Sequence, residues 1–201
     1  MKNSKWGTES FSDQSVHVVL FVSRNKDNKN IEGFKERRES FITNKDADSE
    51  WLIIRFNEFV ERGVSGEHSR MYFSVNARDP KKIWTELMHF MFDNPDFNLC
   101  SIQSKLAGIA AQKSCALEKR WMFDFDIDDE EKVHEFREDI CKEIHKKDAL
   151  AKVEITTRKT HHGYAFITDR GFDCRELLEK WNSDVSLKRD DLLCVHWKIK
   201  E

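Results

Sequence analysis

The chain has 201 residues, of which 35% are Asp, Glu, Lys or Arg and 39% are hydrophobic. That supplies one core, or a main domain with a small appendage, and no run approaches the roughly 18 apolar residues of a transmembrane helix. The formal net charge of -3 gives no global basic field, so a nucleic-acid partner would have to be met by local patches.

Six Trp and fifteen Phe argue against wholesale disorder. The first residues lack the apolar stretch of a secretory signal. Cys100, Cys115, Cys141, Cys174 and Cys194 are odd in number and contain no CxxC pair, which fits reduced thiols in the cytoplasm better than a disulfide frame or a zinc site.

With seven Gly, two Pro and no linker or repeat, the chain reads as one continuous domain. Residues 1–14 are polar and expected to be loose. Residues 15–23 (SVHVVLFVS) read as a buried strand, followed by a charged, turn-like stretch over 24–30. A helix is expected over 49–62, closed by Gly63 and Gly66, and a strand over 70–76. Asp79-Pro80 supplies an N-cap and a first-turn proline for a helix to 92, and a second helix follows over 98–114.

The C-terminal half predicts a strand over 119–126 and a helix over 129–146. Strands follow over 151–157 and 163–168, then a helix over 173–182 and a last strand over 191–197. That order is β-α-β-β-α-β, so the expected fold class is α+β: a ferredoxin/RRM-like palm over 119–197 carrying an N-terminal α/β part over 15–118. In such a sheet the first strand lies between the third and the fourth. The end of the first strand would then sit beside the starts of both neighbours, and three polar clusters would converge.

The first cluster is Asp124 and Asp126. Alternation in Trp121-Met122-Phe123-Asp124-Phe125-Asp126-Ile127 places the aromatic side chains on one face and both carboxylates on the other. Paired carboxylates repel unless a cation or proton offsets them, and hard oxygen ligands suit Mg²⁺ or Mn²⁺. An EF-hand loop beginning at Asp124 fails, because Asp129 stands where that loop requires glycine. The second cluster, Thr156 to Gly163, brings Arg158, Lys159, His161 and His162 into a plausible phosphate-holding hairpin. The third, Lys188-Arg189-Asp190-Asp191, offers a third carboxylate. Each cluster alone also reads as an ordinary solvated strand end or turn.

A strand ending in Asp-x-Asp, a basic hairpin with His and a later Asp resemble the archaeo-eukaryotic primase superfamily. More closely, the chain looks like small primase-polymerase-like proteins of tailed bacteriophages. The resemblance covers about 70–197 and rests on Arg70 to Arg78, Trp121 to Asp126, Gly163-Tyr164 and Phe172-Asp173. It implies an RRM-like catalytic palm and metal ligation by Asp124, Asp126 and Asp190 or Asp191. It also implies two-metal nucleotidyl transfer and, for a phage protein, residence in the host cytoplasm. In that family a phosphate-contacting His stands where this chain has Ala165. Either His161 or His162 substitutes from the turn, or catalysis is lost.

His162-Gly163-Tyr164-Ala165-Phe166-Ile167 also looks like the RNP1 string of an RNA-recognition motif, whose aromatics stack bases. That resemblance implies a non-catalytic binder of RNA or single-stranded DNA using Tyr164 and Phe166. A phage protein that binds a host protein is the third class left open.

Overall fold

The computed structural model describes residues 15–201. The segment expected to be loose, 1–14, lies outside the described residues. The elements run β1 (His17–Ser23), β2 (Arg37–Thr43), α1 (Glu50–Glu61), β3 (His68–Ser74), α2 (Pro80–Asp93), α3 (Ile102–Ala110) and β4 (Trp121–Phe125). They continue α4 (Glu130–His145), β5 (Ile155–Lys159), β6 (Tyr164–Thr168), α5 (Arg175–Trp181), β7 (Val185–Lys188) and β8 (Leu192–Ile199). The architecture is α+β. Two antiparallel four-stranded sheets are ordered β2-β1-β3-β8 and β5-β6-β4-β7. Among the described residues no helix is long and apolar enough to cross a membrane.

Local chemistry explains the elements. The run Val18-Val19-Leu20-Phe21-Val22 is apolar on both faces, as a central strand requires. Val19 and Phe21 bury against Leu52, Phe56, Phe59 and Val60 of α1. Asp79 caps α2 by accepting from the Lys81 and Lys82 amides (2.9 and 3.4 Å), with Pro80 in the first turn. Asp129 caps α4 in the same way, accepting from Glu131 and Lys132 at 2.9 and 3.2 Å. Asn182, at φ 37 and ψ -112, leaves helical backbone geometry, ends α5 and starts the turn into β7.

The second sheet buries its aromatic face on α4 and α5. Phe125 stacks on Phe136 at 4.9 Å, and Phe123, Ile140, Leu177 and Trp181 complete that core. Asp139 lies beneath it, accepting from Trp181 Nε1 at 3.1 Å and Lys180 Nζ at 2.6 Å. The opposite face carries Met122 and Ala165, which join Leu193 and Val195 of β8 in the core of the first sheet. That apolar contact ties the sheets together.

Two features differ from the sequence reading. Residues 37–43 form β2, an edge strand whose charged first half (Arg37, Arg38, Glu39) masked its buried Phe41 and Thr43. The run 191–197 was expected to be the palm's fourth strand, but β8 pairs with β3 in the first sheet. The short segment Val185–Lys188 takes the place beside β4 instead, pairing Val185 with Phe125 and Lys188 with Met122. Residues 189–191 therefore follow a strand that ends near the start of β4, and the expected convergence on the end of β4 does not extend to Asp190.

Asp190 has another task. Its side chain is 6% exposed and pairs with Arg78, 1% exposed, through both guanidinium nitrogens at 2.8 Å. Asn76 donates to the same carboxylate at 3.0 Å and brackets the Arg120 backbone, accepting from its N–H at 2.8 Å and donating to its carbonyl at 3.2 Å. One buried knot thus joins the end of β3, the entry to β4 and the link from β7 to β8.

Asp190→Asn should leave Arg78 buried without its counter-charge and cost roughly 3–5 kcal/mol. Arg78→Met combined with Asp190→Leu should recover much of that loss, since the double change removes both charges. Urea denaturation checks both. A loss below about 1 kcal/mol for Asp190→Asn would contradict the structural role.

Candidate functional site

The site is a groove between the two sheets, with Asp124 on its floor. Alternation on β4 turns Phe123 and Phe125 to the helices and Met122 and Asp124 to the first sheet. From that sheet, Leu20 and Val22 of β1 and Tyr72 of β3 face them. Together they enclose about 700 Å³. A smaller recess of about 110 Å³ shares Tyr72, Met122, Asp124 and Leu192 with the groove and extends it toward the 160–163 turn.

Charge is unevenly distributed. Arg24, Lys26 and Arg38 stand on the β1–β2 side of the groove, and Lys188 stands beside Asp124 on the second sheet. Asp191, Glu36 and Asp124 are the acids. In the recess, Arg70 faces Asp124, Asp126, His161 and His162. Asp27 fixes the basic wall: it is bound by Arg24 at 3.0 and 3.1 Å and by Arg70 at 2.9 and 3.0 Å. Burial opposes ionisation of Asp27, but the Arg24 hydrogen bond and both guanidinium charges outweigh it and hold its carboxyl below the usual range. One carboxylate against two guanidiniums leaves a net positive charge beside the recess.

Asp124 is in the opposite condition. Burial pushes its carboxyl above 3.8, Asp126 and Asp191 push it further, and Lys188 and His162 only partly compensate. This is a partly dry carboxylate with too little positive charge around it. His161 is held below 6.5 by burial, then by the charges of Arg70 and His162. His162 Nε2 lies 3.5 Å from Arg70 Nη2 in the same recess.

The structure brings together Asp124, Asp126, His161 and His162 around the recess, and Asp191 joins Asp124 in the groove. Asp190 is withdrawn into the Arg78 pair. Arg158 faces the first sheet and is held by Asp48 at 2.7 and 3.1 Å and by the Val195 carbonyl at 3.3 Å, so it ties the two sheets. Lys159 pairs with Asp128 at 3.1 Å on the exposed side. Among the described residues, no three His, Cys, Asp or Glu side chains are grouped as a ready metal site.

The base-stacking reading of β6 meets a steric fact. Phe166 is fully buried against Phe125 and Phe136, and Tyr164 packs on the same helix-covered face. Alternation gave the two rings a shared face, but α4 and α5 cover it. The residues that line the groove from β4 are Met122 and Asp124, while Ala165 of β6 is fully buried in the apolar contact between the sheets.

Arg24, Arg38, Arg70, Tyr72 and Lys188 were not singled out as site residues. Partial signals existed: Arg24 opens the charged stretch 24–30, Lys188 opens the third cluster, and Arg70 and Tyr72 alternate on β3. Comparison with protein-family models, curated proteins and solved structures gives no match.

Gly163 holds the histidine turn against β4. A Cβ there would stand 2.1 Å from the Phe125 carbonyl oxygen and 2.9 Å from the Ile127 amide nitrogen, both backbone atoms that cannot step aside. Gly163→Ala should therefore displace His161 and His162 from the recess, seen as shifts of their imidazole NMR signals.

The condition of Asp124 gives a pH prediction. A carboxyl raised on folding adds stability that is complete below its unfolded value, near 3.8, and is lost as pH rises through the higher folded value. Without metal, Asp124→Asn should match or exceed the wild type in melting temperature at pH 7. Its advantage should shrink as pH falls toward 4. Melting curves across pH 4–7 check this, and a mutant less stable at neutral pH would show Asp124 to be a structural hydrogen-bond acceptor instead. Phe166→Ala should cost roughly 3–5 kcal/mol in urea denaturation, as core truncations do, rather than act on binding alone.

Proposed function

We propose that the groove binds a phosphorylated nucleic-acid ligand, either a nucleotide or a single strand of RNA or DNA, with Mg²⁺ or Mn²⁺. On this reading the chain is a small primase-polymerase-like protein of the reducing cytoplasm, and the unit β4-α4-β5-β6-α5-β7 is its ferredoxin/RRM-like palm. The observation that carries the reading is the placement of Asp124, under-compensated in charge, in one groove with Arg24, Lys26, Arg38 and Lys188. An anion alone would be repelled by Asp124, and a cation alone by the basic wall. A metal-bound phosphate satisfies both.

The donor chemistry fits a hard divalent ion, although the carboxylates do not form a closed cage. Such an ion is commonly held by one or two carboxylates, with water and substrate phosphates completing its shell. Asp124 would supply one ligand and Asp126 or Asp191 the other, with Asp190 excluded by its pairing to Arg78. Bound there, the ion would supply Lewis-acid stabilisation of charge on phosphoryl oxygens. The chain's own cations do the rest: Arg38 and Lys188 neutralise and orient phosphates, and Arg70 with the histidine turn closes the far end. The full burial of Phe166, with Tyr164 packed against the same helix-covered core, disfavours the alternative of base stacking on β6.

The test is titration calorimetry with NTPs, dNTPs and a short single strand, with and without Mn²⁺. Binding should require the metal and fall at least tenfold in Asp124→Asn and in Lys188→Ala. Millimolar Mn²⁺ should raise the wild-type melting temperature and leave Asp124→Asn nearly unmoved. Metal-independent, salt-sensitive binding of single strands that ignores Asp124 would replace this reading with a non-catalytic binder. Absence of affinity for all three ligands would favour a protein-binding role.

A further inference from the structure

An open aromatic ring stands at the rim of the recess. Trp197 on β8 is 40% exposed, and the β3–β8 register sets it directly opposite Arg70, which lines the recess. Residues opposite each other on paired antiparallel strands share a face, so the indole and the guanidinium leave the first sheet on the same side. The histidine turn of the second sheet meets them there. His161 lies 5.6 Å from Trp197 between ring centroids and 4.3 Å from His162, so three rings run from the rim to the recess wall. Cys194 lines the recess three residues before Trp197, which places the indole no more than about 10 Å further along β8.

We infer that Trp197, flanked by His161, is the platform on which the ligand's base stacks while the recess and groove hold its phosphates. The inference rests on the phosphate reading of the groove and supplies what that reading leaves open, namely how a base is held when helices cover the aromatic residues of β6. Tryptophan offers a large, rigid π-face, and the exposed part of this one is free for a second ring. The row of rings ends at Arg70 and Asp124, so the site is aromatic at one end and charged at the other. A nucleotide has the same polarity, with a flat base at one end and phosphates at the other. Every base has a π-face, so stacking accepts any of the four and favours base-bearing phosphates over those without a base.

The experiment is titration calorimetry on the full chain with Mn²⁺ and two matched pairs of ligands. One pair is ATP and inorganic triphosphate; the other is a short single strand and its abasic analogue. In whichever pair binds, the base-bearing member should bind at least about fivefold tighter. Trp197→Ala should erase that margin and leave the affinity of the baseless member unchanged, and Trp197→Phe should keep most of the margin. A tryptophan that only props the histidine turn predicts equal losses for both members instead. Three results overturn the inference: a baseless member that binds the wild type as tightly as its partner; a margin that survives Trp197→Ala; or a loss in Trp197→Ala shared equally by both members. The phosphate reading fails separately, by absence of binding in both pairs, and the platform then falls with it. Lys188→Ala should lower both members of a pair alike, which keeps the two readings apart.

Discussion

The buried pair of Arg78 and Asp190 fixes the relation between the two sheets. Only three residues separate β7, the last strand of one sheet, from β8, an edge strand of the other. The chain has to cross within that length, and Asp190 is its midpoint. Isolated from water, a carboxylate demands a counter-charge and further donors, which Arg78 and Asn76 provide. Arg78 is itself fixed by backbone bridges to Val16 and Ala116, so the anchor point is not free to drift. A hydrophobic substitute of similar volume would fill the space without choosing one crossing geometry. The ion pair specifies register as much as it stabilises.

That register sets up the groove. Holding Asp190 inward leaves Lys188, two residues before it, and Asp191, directly after it, along the groove beside Asp124. Three other carboxylates are matched: Asp27 by two arginines, Asp139 by lysine and tryptophan, Asp48 by Arg158 and His196. Asp124 breaks the pattern, being raised by burial and by other acids. A half-dry carboxylate left under-compensated, where these others are matched, departs from self-consistency at a place where a ligand can supply what is missing.

Much of the fold was legible because periodicity and capping are local. Asp79-Pro80 announced α2, the alternation through Trp121–Phe125 announced β4 with its carboxylates opposite its aromatics, and the apolar stripe of 129–146 announced α4. Partnership was less legible. The apolar run DLLCVHW is a stronger strand signal than VSLK, but the weaker segment pairs with β4 while the stronger crosses to the other sheet. Nothing in either segment states which edge it will meet. The same limit governs the site. Asp124, Asp126, Asp191 and the histidine turn were visible as local oddities, whereas Arg24, Arg38 and Tyr72 become site residues only once the first sheet faces the second. Tyr164 and Phe166 show the converse: alternation gave their shared face correctly, and tertiary packing decided that helices cover it.

Ala165 carries the last step. It stands opposite Asp124 on β6, where the resembling family places a phosphate-contacting histidine. Here it is fully buried in the cluster that joins Met122 to Leu193 and Val195. A small apolar side chain at this point lets β8 of the first sheet close on the face of the second. An imidazole would overpack that contact, at about 1–3 kcal/mol, and bury a polar ring among apolar neighbours. The short crossing held by Asp190 brings β8 here, so the geometry that builds the groove also excludes histidine from position 165. Any phosphate contact from that side has to come from beyond the strand, where His161, His162 and Arg70 meet around the recess.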